Sequence, residues 1–151
     1  MPIRNHIEAI TTTLTAKPTF AYGTANELNR LADEQHFPCV FLFAIPAIEL
    51  SPAINGSVDN TFTVYLEFLF QTNFDQYTAD NEMYVSKALQ MANEFIAKAA
   101  QYRAHPTEAR FFKIKSGIKA KCTPVYNKYD VNTTGVGLTL VLETMSFDAI
   151  H

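Results

Sequence analysis

The chain has 151 residues, the length of one ordinary domain, and is long enough to bury a core without disulfides or a structural metal. Its composition, 48% hydrophobic and 18% charged, is typical of a folded globular protein but is poorer in charge than the roughly 25% that is usual. The formal net charge of −3 excludes a strongly basic protein whose whole surface binds nucleic acid, so any attraction to phosphate must be local. We predict a single domain over residues 1–151 that keeps part of its surface for partners.

The two cysteines and the N-terminus indicate where the protein is made. Cys39 and Cys122 lie in apolar, strand-like runs, without the spacing of a redox motif or the density of a disulfide framework, so we expect both to be reduced and buried. Met1 leads into a polar segment that lacks the apolar core of a signal peptide, and no stretch approaches about 18 apolar residues. We therefore expect neither an export signal nor a membrane span, and synthesis in a reducing cytoplasm.

Two helices are predicted near the N-terminus. The first covers about residues 3–16, where apolar residues recur at helical spacing until Pro18 ends the pattern. The second runs to about Gln35 and begins at a capping box, in which the side chains of Thr24 and Glu27 each accept a hydrogen bond from a backbone N–H at the helix start. Leucines at one-face spacing follow the box, which favours a short amphipathic helix.

Two strands and a loop follow. The apolar run at residues 39–45 suits a strand covered on both faces, and residues 61–71 alternate around an aromatic-rich inner face. Between them, residues 51–60 are rich in turn formers and indicate a protruding loop. Because Ile54 and Val58 lie among small polar residues, this loop has the composition of an arm that could reach a neighbouring molecule.

A long helix and a second strand pair complete the chain. Residues 78–100 carry one broad apolar face, the longest helical pattern in the sequence. A strand over about residues 110–126 is followed by a turn and by an alternating strand over residues 136–143. This order predicts an α+β fold with a mostly antiparallel sheet of four or more strands. The long crossover helix and the N-terminal helices are expected on one face, leaving the other face available.

No familiar catalytic or ligand-binding motif is present. The four histidines are dispersed, and there is neither a nucleophile elbow nor a phosphate-binding P-loop. Gly135 and Gly137 lead into a strand, which favours hairpin or bulge glycines over a phosphate cradle. A Ser or Cys nucleophile with a distant His is neither excluded nor favoured, because such groups meet only in the fold. We expect no enzyme activity, no cofactor, and no catalytic, cofactor-binding or metal-binding residues. The histidines are His6, His36, His105 and His151.

Four acidic residues could form a cluster where the second strand meets the long helix. A helix start favours Asp and Glu as caps and through its dipole, so a structural role outweighs a catalytic carboxylate pair. The four are Asp59, Asp75, Asp80 and Glu82.

The clearest charge pattern is a lysine stripe, whose four members share one face of an extended chain while apolar residues take the other. One interpretation is an edge strand in which lysine blocks aggregation, and another is a solvated sheet face with Glu67 and Glu143 as cross-strand partners. In a third, the stripe faces phosphate or an acidic surface of a neighbouring subunit. The stripe consists of Lys113, Lys115, Lys119 and Lys121.

The outer face of the predicted sheet also indicates partners. Tyr65, Leu69 and Val141 alternate with the inner-face residues, so both long strands have a partly apolar outer side. A free monomer seldom leaves such a surface bare. We expect another copy or another protein to cover it.

The order of elements resembles a known family. An N-terminal helix, a hairpin with a long loop, one long crossover helix and a closing hairpin look like the tail-terminator and tail-completion (neck) proteins of tailed bacteriophages. The closing segment, residues 124–140, is similar in style to prophage structural proteins of gut Bacteroidetes. There, a Pro-Tyr-Asn strand runs into an Asp-rich turn and an alternating final strand, as Pro124, Tyr126, Asn127 and Asp130 do in this chain.

This resemblance implies a structural protein of the virion, made in the host bacterial cytoplasm, that forms a closed homo-oligomeric ring at the head–tail junction or tail end. Such a ring would contact tube and connector proteins around a channel through which DNA passes. The lysine stripe would then line the channel.

Two other classes of protein stay open. A cytoplasmic binding domain would enclose a small molecule between the aromatic-rich sheet and the long helix. An enzyme with an unrecognised site would hold a polar cluster with perturbed pKa values in such a cavity. A deep cavity would favour either of these, whereas a ring protein forms a large assembly.

Overall fold

The computed structural model describes residues 3–31, 36–45, 48–52, 58–73, 77–102, 112–114 and 119–144. Within these ranges the chain forms three helices and seven strands, an α+β fold. The helices are α1 (Ile3–Thr11), α2 (Ala25–Leu31) and α3 (Thr78–Gln101). The strands are β1 (Thr19–Gly23), β2 (Cys39–Phe43), β3 (Ile48–Pro52), β4 (Val58–Gln71), β5 (Phe112–Ile114), β6 (Lys121–Lys128) and β7 (Thr133–Thr144).

One sheet, built around β4 and β7, contains all seven strands. These two pair antiparallel from Asn60 opposite Thr144 to Gln71 opposite Thr133. On the other side of β4, β3 pairs with its first residues and β2 with its later ones, and β1 adds to β2. β5 and β6 pair in succession with the free edge of β7. Among the described strands only β1 and β2 are parallel, so the predicted mostly antiparallel sheet is confirmed.

The larger core lies between the sheet and two helices. Alternate residues of β4 and β7 point to this side, where α1 and α3 cover them. Phe68 of β4 meets Phe95 of α3 edge-to-face, with ring centroids 5.8 Å apart. Fully burying one such side chain contributes about 1.5–3 kcal/mol, so this layer supplies much of the stability. The buried strand residues include Phe62, Val64, Leu66, Phe68, Val136, Leu138, Leu140 and Leu142.

The opposite face of the sheet carries a smaller core. Leu28 of α2 packs there with Phe41 and Leu69, and the turn between β6 and β7 contributes partly buried residues to the same cluster. The expected packing of the N-terminal helices on one face therefore holds for α1, whereas α2 lies on the other face. Leu69 is fully buried, and Tyr65 and Val141 are half-buried. Less apolar surface is therefore exposed on this face than the alternation of Tyr65, Leu69 and Val141 predicts.

The first helix is shorter than its apolar spacing predicts. It ends at Thr11 rather than near residue 16, in a run of threonines whose hydroxyls donate to carbonyls of the preceding turn. The Thr11 hydroxyl, for example, lies 2.8 Å from the Ile7 carbonyl oxygen. Such bonds compete with helical hydrogen bonds and favour a helix end. The capping box of α2 forms as predicted, because the Thr24 N–H donates to a Glu27 carboxylate oxygen at 2.7 Å.

Three parts of the sheet depart from the sequence-based expectation. β1 and β3 are each five residues long, and β3 is exposed at every residue although Ile48 and Leu50 alternate with polar residues, so neither gave an extended alternating run. The loop expected at residues 51–60 is strand at both ends, because β3 pairs with the start of β4. The strand expected over residues 110–126 is divided into β5 and β6. More residues lie between these two strands than between their partners on β7, so they cannot form one continuous ladder.

Gly135 marks a close approach of β4 to β7. A Cβ at this position would lie 1.8 Å from the carbonyl oxygen of Phe68, far inside van der Waals contact. Gly135 and Gly137 lie within β7, which forms a hairpin with β6, as the hairpin interpretation predicts. The bulge interpretation fits Gly135. This residue pairs with Val125 of β6, and the register between β6 and β7 shifts just after that pair.

Replacing Gly135 with Ala should destabilise the fold strongly. The added methyl group meets a backbone atom that moves only if β4 and β7 part, so we expect a loss of about 3 kcal/mol or more in the free energy of unfolding, at the upper end of overpacking costs. Gly23→Ala is the matched control, because a Cβ there meets the flexible Glu27 side chain at 2.7 Å. Urea denaturation measures both variants, and equal losses would contradict the close-approach argument.

Candidate functional site

The structure places the described part of the lysine stripe at one edge of the sheet. Lys119 and Lys121 are exposed, and Lys121 opens β6. Lys113 lies in β5 with Glu143 as its register partner, as the cross-strand interpretation predicts. The side chain of Lys113 and the whole of Lys115 lie outside the described residues.

Strands β5 and β6 form an edge of the sheet. Among the strands that the structure describes, both pair with β7 alone. Pro124 in β6 is exposed, and proline, which cannot donate to a ladder, is confined to edge strands and bulges. This supports the edge-strand interpretation of the lysines and leaves a second molecule able to approach them.

Glu67, the other expected partner of the stripe, has a different role. It lies within β4, is fully buried, and its carboxylate accepts three hydrogen bonds. Lys128 donates to Oε2 at 2.8 Å, and the Tyr65 hydroxyl donates to the same oxygen at 3.1 Å. The Tyr129 hydroxyl donates to Oε1 at 2.5 Å. We call these four residues the Glu67 cluster; it pairs Glu67 with Lys128 rather than with the stripe.

The backbone around the Glu67 cluster is adapted to it. Gly137 lies opposite Glu67 on β7, and a Cβ there would lie 2.2 Å from the Tyr65 hydroxyl oxygen. Tyr129 has φ of 66°, a left-handed conformation that a bulky residue keeps only where its surroundings hold it. Its ring also packs edge-on against Phe41, with centroids 5.6 Å apart. These contacts hold the turn between β6 and β7 against the sheet.

Burial and the neighbouring carboxylate change the ionisation of both tyrosines. Desolvation raises the pKa of Tyr129 and of Tyr65, and the negative charge of Glu67 raises both pKa values further. Both hydroxyls therefore stay protonated and act as donors. Because the Glu67 carboxylate is buried and enclosed by its three donors, we assign the cluster a structural role.

The other candidate residues do not come together. His6 is buried, with Nδ1 2.9 Å from the Tyr102 hydroxyl oxygen, and His36 is exposed. Asp80 accepts a hydrogen bond from the Tyr77 N–H at 3.1 Å, the capping role that was expected. Within the described ranges, no three His, Cys, Asp or Glu side chains are grouped as a metal site would require. Outside those ranges lie His105, His151 and Asp75.

Only one of the two cysteines is buried as expected. Cys39 is fully buried, and desolvation raises the pKa of its thiol to about 12. Cys122 is exposed on β6. An apolar run predicts burial when a strand has neighbours on both sides, and β6 is an edge strand. The exposed thiol therefore marks the same sheet edge as Lys121.

An exposed hairpin stands at the opposite edge of the sheet. We call β3 together with residues Val58–Asn60 the hairpin arm. Every residue of β3 is exposed, including Ile48 at 53% and Leu50 at 67%. The arm pairs with the first residues of β4, beyond the part of that strand that β2 covers. The expected arm is thus a β-hairpin at its base, and Ile54 lies outside the described residues.

A cleft of about 290 Å³ lies where the segment after α1 meets α3 and the end of β4. Phe70 and Met91 supply apolar lining, and Glu94 supplies a carboxylate. This carboxylate accepts a hydrogen bond from the Thr15 N–H at 3.0 Å and pairs with Lys98 at 3.2 Å. The Glu94 carboxylate is therefore engaged in joining the segment after α1 to α3. The volume is close to the lower limit of about 300 Å³ for small-molecule sites.

Sequence patterns missed the Glu67 cluster and β3. One signal for the cluster was available, since Glu67 is the only acidic residue in the alternating run 61–71, and Lys128 and Tyr129 lie in the turn predicted before the last strand. β3 offered only a short signal, because Ile48 and Leu50 alternate with Glu49 and Ser51 over just four residues before Pro52.

Comparison of the chain with protein-family models finds no match, and comparison with curated proteins finds none either. None of the helices that the structure describes has both the length and the apolar character to cross a membrane. The candidate site therefore rests on geometry, which singles out two unlike edges of one sheet: the hairpin arm on one side, and the strands β5 and β6 on the other.

The Glu67 cluster should make stability fall in alkaline solution. A raised tyrosine pKa in the folded state gives stability that is fully present below the unfolded pKa of about 10 and is lost as the pH rises above it. Tyr129→Phe should lower the free energy of unfolding at pH 7 by about 1.5–3 kcal/mol, through loss of a hydrogen bond to a charged group, and should weaken the alkaline decline. Urea denaturation between pH 7 and 11 measures both effects. Tyr126→Phe, at an exposed residue of β6, is the control, and an unchanged profile in Tyr129→Phe would refute the assignment.

Proposed function

We propose that the protein is a structural subunit of a tailed-bacteriophage or prophage particle, of the tail-terminator or tail-completion (neck) type. Its copies assemble into a closed ring at the head–tail junction or tail end, contact tube and connector proteins, and surround a channel for DNA. The observation that carries this proposal is the hairpin arm, an exposed two-stranded element with apolar side chains at the sheet edge.

The composition of the arm favours contact with another molecule. Ile48 and Leu50 are more than half exposed, and Val58 across the hairpin is 36% exposed. Burying an apolar side chain contributes about 1.5–3 kcal/mol, and the arm obtains little of this from its own chain. An exposed strand edge also presents unpaired N–H and C=O groups. A partner that covers the arm would bury these apolar side chains and form hydrogen bonds with these backbone groups.

The position of the arm favours a ring. The arm lies on the β2 side of β4, whereas β5 and β6 lie on the far side of β7, so the two exposed edges of the sheet are different surfaces. Contact between unlike surfaces is heterologous, and it closes into a ring when the rotation between neighbours closes. Element order, the arm and the two unlike edges together support a phage ring protein above the alternatives.

The rival function, binding of a small molecule, rests on the cleft beside α3. With a volume of about 290 Å³ and a carboxylate already paired to Lys98, this cleft offers less than a typical ligand site. A binding protein of this kind would be a monomer or dimer. The mass of the protein in solution therefore separates the two functions.

Polar substitution of the arm should prevent assembly without unfolding the subunit. Ile48→Gln with Leu50→Gln removes exposed apolar contacts, so the free energy of unfolding should stay within about 0.5 kcal/mol of the wild-type value. The apparent dissociation constant of the assembly should rise at least tenfold, which corresponds to about 1.4 kcal/mol. Sedimentation velocity over a concentration series measures the change.

The control for the arm variant is Met83→Gln with Leu89→Gln, which alters two similarly exposed apolar residues on α3. This variant should assemble like the wild type. A wild-type protein that stays monomeric at high concentration, with and without its particle partners, would refute the ring.

Particles should contain the protein in small, fixed amount. A ring at one position of the virion contributes few copies compared with the repeating tube, so quantitative mass spectrometry of purified particles should find it far below the tube protein. Particles made without it should show heads and tails that fail to join or tails of uncontrolled length in electron micrographs. Normal particles in its absence would contradict the proposal.

A further inference from the structure

We propose that the hairpin arm of one copy docks on the β6 edge of the next copy, with acidic residues of the arm against Lys119 and Lys121. This inference rests on the proposed ring and names the surface that each arm contacts. The lysine stripe then belongs, in its described part, to the interface between subunits rather than to the channel wall.

The two edges carry opposite charge. In residues 48–60 the only charged side chains are Glu49 and Asp59, both acidic. In residues 119–128 the only charged side chains are lysines, at positions 119, 121 and 128. Lys128 is held by the buried carboxylate of Glu67 at 2.8 Å, so we assign the contact to the other two lysines. Complementary charge of this kind orients a partner and suppresses contact between like edges.

The topology requires the contact to join two molecules. The arm pairs with one side of β4, and β6 pairs with the far side of β7, so β4 and β7 stand between them in the same chain. An arm on one edge cannot reach the β6 edge of its own sheet. It can reach that edge in a neighbour oriented the same way, and each neighbour then offers its own arm to the next copy.

The apolar parts of the two edges also match. The arm presents Ile48 and Leu50, and the β6 edge presents Tyr126, which is 37% exposed, beside the exposed Pro124. On each edge the apolar residues lie on one face of the strand and the charged residues on the other, because Ile48 and Leu50 alternate with Glu49, and Pro124 lies three positions from Lys121. Because Pro124 cannot donate a backbone hydrogen bond, the contact rests on side chains rather than on a long shared ladder.

A charge exchange tests this pairing. One variant carries Glu49→Lys with Asp59→Lys, so that its arm and its β6 edge are both basic; the other carries Lys119→Glu with Lys121→Glu, so that both are acidic. Each variant alone should assemble at least tenfold more weakly than the wild type in sedimentation velocity. An equal mixture should recover assembly, because each arm then meets an edge of opposite charge in the other variant.

The control for charge exchange is Glu8→Lys with Glu82→Lys, at exposed positions on α1 and α3, which should assemble normally. Thermal unfolding checks that every variant is folded. Normal assembly of either reversed variant alone overturns the inference. So does a mixture of folded variants that fails to assemble.

A cross-link gives a second measurement that does not depend on charge. Leu50→Cys places a thiol on the arm, and the native Cys122 supplies one on β6, while Cys39 is buried. A short bis-maleimide should join Leu50→Cys chains into dimers and a ladder of larger species. Leu50→Cys combined with Cys122→Ser should give neither.

The outcomes separate the two proposals. A ring of wild-type mass that shows no cross-link between the arm and Cys122 overturns the docking inference and leaves the ring function standing. A protein that forms no assembly overturns both.

Discussion

The ladder between β4 and β7 is the interaction on which the rest of the fold depends. Its pairs run from Asn60 and Thr144 to Gln71 and Thr133, and they form one surface for α1 and α3 and a second for α2 and the Glu67 cluster. Every outer strand attaches directly or through β2 to one of these two. Separating β4 from β7 would therefore open both cores at once, and the close contact of Gly135 with the Phe68 carbonyl limits which residues the ladder accepts.

An open sheet with two different edges is suited to an assembly in which one edge of each copy contacts the other edge of the next copy. The arm at one edge is apolar and acidic, whereas the β6 edge is basic, so contact between two like edges would bring like charges together. The heterologous contact that we propose rests on this difference. The low proportion of charged residues in the chain fits a surface of which part is covered by neighbours. In the cleft beside α3, the Glu94 carboxylate that could contact a small molecule is already engaged by Thr15 and Lys98.

Long, strongly periodic elements could be predicted from the sequence, and short or exposed ones could not. The pattern of residues 78–100 corresponds closely to α3, and the alternation of residues 61–71 and 136–143 corresponds to the paired parts of β4 and β7. β3 was missed because its alternation spans only Ile48 to Ser51, and the exposure of Cys122 was missed because the local sequence does not specify which strands β6 pairs with. Glu67 was expected at a solvated face, but the tertiary contacts of Lys128 and Tyr129 bury it.

The separation of β4 from β7 along the chain has a consequence for the order of events in the cell. A ribosome releases the N-terminal part first, so β4 and the arm emerge well before the strand that completes their sheet. Contacts between distant parts of a chain also form slowly. The basic edge, made of β5 and β6, is synthesised after the arm and needs β7 to be held in place. If the arm docks as we propose, a nascent chain can offer its arm before it can receive one, and only a polypeptide that has been translated through β7 can become a full link in the assembly.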